Sequence, residues 1–324
     1  MSNLDRTPSL THCGSAGVAT RPVHERFAGR DVPLGESSVV RRLLPNLGRR
    51  LVGPWCFVDH YGPDDVADQP GMQVPPHPHM GLQTVSWLRA GEVHHQDSLG
   101  SDALIRPGEL GLMTAGRGIA HAEHSPLAHP VLLHGAQLWV ALPSASASVA
   151  PAWEHHAALP VLSEDGVRAT LILGSLAGET SPGRAYSPLI GVSAALTAGA
   201  STLLPLEPDF EHAVLVLSGA VTVDADDLEV GTMLYLGCRR RDVRLSSSRG
   251  AEVLLLGGEP FGEQIVMWWN FVGRSNEEIV EARAQWQDGA ARFGTVRDAG
   301  APLAAPPLPP GTLKPGGATR SPHK

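Results

Sequence analysis

Between Gly35 and Pro143 the chain alternates short apolar segments with breaks at Gly, Pro and Asp: SVVRRLL, GPWCFVDHYG, GLQTVSWL, EVHHQDSLG, DALIRPGELGLM and HGAQLWVALP. Runs of this length, rich in branched and aromatic residues and bounded by turn formers, predict strands with their turns. LPSASASVAPAW, small-residue and Pro-containing, then reads as a connector. A second strand series begins near Leu159 with VRATLILG, STLLPLE, HAVLVLSGAVTVDA, GTMLYLG and AEVLLLGG. Close to the C-terminus the period changes. In NEEIVEARAQWQDG, Ile279, Ala282, Trp286 and Ala290 recur every three or four residues, which predicts a helix with one buried face. Asn276 is its expected cap, Glu277 and Glu278 suit the first turn, and Gly289 marks its end.

The two strand series share their spacing. GLQTVSWLRAGEVHH and EHAVLVLSGAVTVDA each run apolar strand, Gly turn, strand; IRPGELGLMTAGRG and LEVGTMLYLGCRRR each lead through a Gly turn into an apolar strand. A unit of roughly a hundred residues repeated once exceeds a solenoid repeat and suits two similar barrels in tandem. The predicted class is therefore all-β: two tandem antiparallel β-barrels or jelly rolls with a short C-terminal helix. Residues 1–30 form a polar arm expected to close over the edge of the first domain. Residues 31–145 form the first barrel, 146–160 the linker, 161–297 the second barrel with the helix, and 298–324 a tail expected to be disordered from its Pro and Gly content.

Composition sharpens this picture. Gly at 36 and Pro at 28 are about a fifth of 324 residues, which favours many short elements joined by turns. A net charge of -8 argues against non-specific binding to nucleic acid or anionic lipid. The one dense basic run, Arg239 to Arg241, reads as a solvated turn. Three scattered cysteines, Cys13, Cys56 and Cys238, offer no disulfide framework and no zinc set, which points to a reducing compartment. No basic-then-apolar leader opens the chain and no run of 18 apolar residues occurs, so a soluble, cytoplasmic protein is expected.

The chemistry lies in two short stretches. VPPHPHM carries His77 and His79, and residues i and i+2 on a strand share a face roughly 6–7 Å apart. The flanking prolines suit a strand start or barrel rim. About forty residues on, MTAGRGIAHAEHSP carries His121 and Glu123, again i and i+2, after a Gly-rich turn. If the two strands are neighbours, three imidazoles and a carboxylate meet. That set suits six-coordinate Fe(II), or Mn, Ni or Cu(II), with positions left open, whereas structural zinc favours a closed, Cys-rich tetrahedron. Of the remaining histidines, His124 falls on the opposite face from His121, and one of His94 and His95 must point inward, where it can line a substrate pocket. His155 and His156 look solvated, and the position of His134 at a barrel mouth is left undecided.

PHPHMGLQTVSWLRAGEVHHQDSLG, PGELGLMTAGRGIAHAEHS and HGAQLWVALP resemble the defining blocks of the pirin family within the cupin superfamily, and MWWNFVGRSNEEI is similar to the end of its bacterial members. Gly71, His77 and His79 fit the cupin pattern G-x5-H-x-H, and the resemblance covers roughly residues 20 to 295. It implies a bicupin of two barrels face to face, with metal only in the first, held by His77, His79, His121 and Glu123. The second half, with His212 alone and no histidine at i+2, cannot repeat that site, and His212 reads as a polar edge residue. One departure stands out: Gln83 replaces the usual cupin glutamate, which is expected to remove a charge near the ion.

The resemblance further implies quercetin 2,3-dioxygenase activity, in which O2 opens the flavonol ring and carbon monoxide leaves. Iron(II) is the first candidate metal, with Mn, Ni, Cu or Zn as alternatives. Glu123 is the expected base for the substrate hydroxyl, and Met113 with the apolar strands would exclude water. A different class of function is an iron-dependent, redox-sensing regulator that binds a protein partner, a transcription factor or metabolic enzyme. A third is a metal-stabilised scaffold without activity. Neither direct nucleic-acid contact nor membrane binding is expected.

Overall fold

The computed structural model describes residues 4–14, 19–34 and 38–309. The first half forms an antiparallel barrel of two sheets. Its larger sheet runs in the order Ala152–His156, Leu110–Thr114, Leu82–Ala90, Leu132–Ala141, Trp55–Asp65, Ser38–Leu44 and Arg30–Leu34. Its smaller sheet orders Gln73–His79, Ile119–His124, Val93–Asp97 and Asp102–Ile105. The second half is one eleven-stranded antiparallel sheet with Val167–Leu176, Leu189–Leu196, Ala251–Gly258, Glu211–Val223 and Thr232–Gly237 along its centre.

Strand alternation explains how the halves join. On Leu82–Ala90, Leu82 and Leu88 point into the first barrel, while Val85 and Trp87 point out and pack with Leu215, Leu254 and Leu256 of the second. Sheets covered on both faces need apolar residues at successive positions, hence runs such as AVLVL and AEVLLLGG. Trp55 anchors this interface: it is fully buried, and its Nε1 donates to the carbonyls of Ile190 at 3.2 Å and Gly257 at 3.1 Å.

Three expectations change. Only the start of the arm lies on the first barrel, where Leu4 packs against the core, and the rest goes elsewhere. Pro22–Ala28 pairs antiparallel with Thr232–Gly237 and forms an edge of the second barrel's sheet, and Thr11–Cys13 pairs with Ile265–Trp268. The polar alternation of PVHERFA, one side half-buried and the other exposed, is the pattern of an edge strand. The helix spans Asn276–Gln287, but its cap is Ser275, whose Oγ accepts from Glu278 N; Ile279 and Ala282 are buried, and Ala290 lies beyond its end. Finally, residues 298–309 are irregular but packed. Leu303 N donates to Pro76 O, Trp286 Nε1 to Leu303 O and Arg283 Nε to Pro306 O, so side chains of the helix take up the backbone groups of a Pro-rich segment that cannot pair them itself. The rest of the expected tail lies outside the described residues. Within the connector, Ala152–His156 pairs with Leu110–Thr114 as an edge strand.

Candidate metal centre

Among the described residues Gln73–His79 pairs only with Ile119–His124 and forms a sheet edge, which tolerates Pro75, Pro76 and Pro78. His77 lies directly opposite His121, and a bulge between His121 and Glu123 sets Val74 opposite Glu123. His77, His79 and His121 are fully buried inside the first barrel, and one ring nitrogen of each lies within 4.8 Å of the others.

The remaining nitrogens fix how these rings face. His77 Nδ1 is 2.8 Å from Pro75 O, and His79 Nδ1 is 3.0 Å from Asn270 O. A carbonyl only accepts, so both rings carry their proton on Nδ1 and turn the lone pair of Nε2 inward. Those two Nε2 atoms stand 3.2 Å apart, and His121 Nε2 is buried with no hydrogen-bond partner among the described residues. Burial lowers the pKa of His77 to about 4 and pushes His79 and His121 well below the usual range, with neighbouring imidazoles adding to it. Three buried imidazoles held neutral, with one ring nitrogen of each in a common cluster, form a donor set that fits a divalent metal.

Glu123, 1% exposed, points into the same interior. Its Oε1 is 3.2 Å from Ser86 Oγ on the facing sheet, and Ser86 Oγ is 3.0 Å from Gln137 Oε1. Glu123 is not among the residues whose ligand atoms fall within 4.8 Å of one another. Trp139 stands edge-on to His79 at 5.2 Å and stacks on Phe57 at 4.0 Å.

Elsewhere the structure sorts the candidates. Gln83 does not lie by the ion site. It shares the outward face of its strand with Val85 and donates from Nε2 to Thr114 Oγ1 at 3.0 Å and to the Arg184 carbonyl of the second half at 2.9 Å. Its missing charge is therefore a matter of the inter-barrel seam. Of the His94/His95 pair, His95 is buried and His94 sits outside against Asp102 at 2.5 Å. His134 lies buried with its Nε2 3.0 Å from His60 Nε2. His155 and His156 meet Glu109 and Glu154. His212 is no edge residue: it is fully buried, follows the inward phase of Val214 and Val216, and neither ring nitrogen has a partner among the described residues. Burial holds its pKa down at about 4.

Sequence reasoning missed Asn270, Ser86 and Asp97 as contributors. Asn270 had a signal, since it sits within the quoted MWWNFVG block, but its contribution is a main-chain carbonyl.

Comparison with known proteins follows this geometry. The family models for pirin and for the pirin C-terminal cupin domain match residues 37–140 and 191–294. A Pseudomonas aeruginosa protein provisionally named quercetin 2,3-dioxygenase is 44% identical over 95% of this chain and 98% of its own. A pirin-like protein of Caulobacter vibrioides is 39% identical over 82% of this chain and 94% of its own. The crystal structure of a quercetin 2,3-dioxygenase from Acinetobacter baumannii superposes with a TM-score of 0.86 at 40% identity, covering 90% of this chain and 98% of that one.

Proposed function

This chain belongs to the pirin family, and from that premise we propose that it is a metal-dependent dioxygenase of the quercetin 2,3-dioxygenase type, with His77, His79, His121 and Glu123 holding a divalent metal, Fe(II) first among candidates. The observation that supports this most is the clustering of one ring nitrogen from each of three imidazoles, two of the rings fixed by carbonyls at Nδ1. A metal held by these residues would supply a Lewis acid that lowers the pKa of a ligated hydroxyl.

The chain supplies the rest. The interior face of Glu123 offers a carboxylate to receive the proton of the flavonol 3-hydroxyl, and Ser86 Oγ orients that carboxylate by donating to Oε1. Phe57, Met113 and Trp139, all buried, wall the interior and keep water from the reacting ring. The ring then opens with incorporation of O2 and loss of carbon monoxide.

The test is O2 uptake with quercetin on protein stripped of metal and reloaded with Fe(II), beside His79→Ala treated identically. The expected result is metal-dependent uptake in the wild type that is absent from the variant. No uptake from protein holding one equivalent of iron would sink this activity and turn attention to a protein partner as the reader of the site.

A further inference from the structure

His121 differs from the other two imidazoles in what holds it. His77 and His79 each set Nδ1 against a carbonyl, but His121 Nδ1 faces another imidazole nitrogen, His95 Nδ1, at 3.4 Å. Two such nitrogens bond only if one donates and the other accepts, and geometry at this contact cannot choose between them. The choice is made on the far side of His95. Its Nε2 lies 3.3 Å from Asp97 Oδ2, and an ionised carboxylate only accepts. His95 therefore donates from Nε2, keeps a lone pair on Nδ1 and receives the Nδ1 proton of His121. His121 Nε2, buried and without a partner among the described residues, is left as the lone pair available to the cluster.

Both members of this relay are rigid. Asp97 is 3% exposed, and its Oδ1 accepts from Leu99 N at 2.9 Å and Ser101 N at 3.0 Å, so Oδ2 is the oxygen turned to the imidazole. His95 is 1% exposed and stacks on Trp153 with ring centroids 3.6 Å apart and planes within 5°. All three groups sit on one pair of neighbouring strands, with His121 opposite Asp97 and Glu123 opposite His95.

We propose that Asp97 and His95 are positioning residues that set the tautomer of His121 and so make it a metal ligand, an inference that rests on the metal-centre reading above. Polar partners behind a ligating histidine fix its orientation and raise its basicity, and losing them typically costs 10- to 100-fold in metal affinity.

Cobalt(II) titration of the stripped full-length protein, followed by visible absorption against a competing chelator, tests this. His95→Phe keeps a flat ring on Trp153 and removes the acceptor. Asp97→Asn keeps the shape; its oxygen stays with the Leu99 and Ser101 amides, its NH2 turns to His95, and the polarity of the relay reverses. Both are expected to weaken cobalt binding about 10- to 100-fold. His95→Asn, whose amide oxygen takes the Nδ1 position, is expected to recover most of that loss, which a merely structural role would not produce. Binding within twofold of wild type in both His95→Phe and Asp97→Asn, with melting unchanged, overturns the assignment. Should those variants fail to fold, 15N-edited spectra of the wild-type histidines decide it. His121 protonated on Nδ1 supports the relay; protonation on Nε2 removes it. His79→Ala separates the two readings. Cobalt bound equally by that variant removes the metal centre and the relay with it, whereas loss there with His95→Phe and Asp97→Asn both unaffected removes the relay alone.

Discussion

An imidazole in water is indifferent to which nitrogen carries its proton; inside this barrel that freedom is gone, because the atom behind each ring decides it. The cluster of side chains was legible: His77, His79 and His121 follow from two-residue alternation and a neighbouring-strand assumption that the pairing bears out, while Glu123, read with them, points into the same interior but lies outside the cluster. What lies behind them was not, since the carbonyl of Asn270 reaches His79 across 191 residues and any residue has a carbonyl. The same blindness misplaced His212, whose neighbours Val214 and Val216 place it inward even though its own polarity argues for an edge. A buried imidazole away from the ligands gives a test at this scale. Burial, with His134 and Arg41 nearby, lowers the His60 pKa to about 3, below the ordinary 6.5. The unfolded chain takes up a proton there that the folded one refuses, so this contribution to stability is complete above pH 6.5 and is lost as pH falls toward 3. Urea unfolding across that window should show His60→Gln reducing the slope of stability with pH by up to ~1.4 kcal/mol per unit. An unchanged slope would discount the His60–His134 contact as a titrating element.

At the scale of elements, turns hold the ligand strands in place. Gly81, just after the His77–His79 strand, has φ +71, and a Cβ there would lie 2.0 Å from Val272 O. Val272 in turn donates to Met80 O, and it follows Asn270 by two residues. Gly81→Ala is thus expected to destabilise by more than ~1 kcal/mol and to weaken metal binding by shifting the carbonyl behind His79. Gly100→Ala, at φ +90 with nothing within 4 Å, carries backbone strain without the collision and is the control. Equal denaturation midpoints and equal metal affinity for the two variants would refute the coupling. Strands and helix were readable here because their periods differ. The helix start slipped by one residue because Ser275 and Asn276 are both good caps, and only the Ser275 Oγ contact with Glu278 N chooses between them.

At the scale of the molecule, the two barrels share one apolar seam. Trp55→Ala, which empties a buried indole and removes the donor to the carbonyls of Ile190 and Gly257, is expected to cost about 3–5 kcal/mol. Calorimetry should still find one unfolding transition, because neither barrel is complete alone; two resolved transitions would refute that. The tandem repeat was visible in sequence, but the exchange of termini was not: strand-forming residues announce that they pair, not with whom. That exchange carries a consequence for how the protein is made. The N-terminal strand Pro22–Ala28 must wait for Thr232–Gly237, and the first barrel's histidines must wait for Asn270. Synthesis on a ribosome is vectorial, so the half that emerges first cannot mature first. Contacts of such sequence separation slow folding. At the proposed site, metal loading is therefore expected only after Asn270 has emerged and docked behind His79.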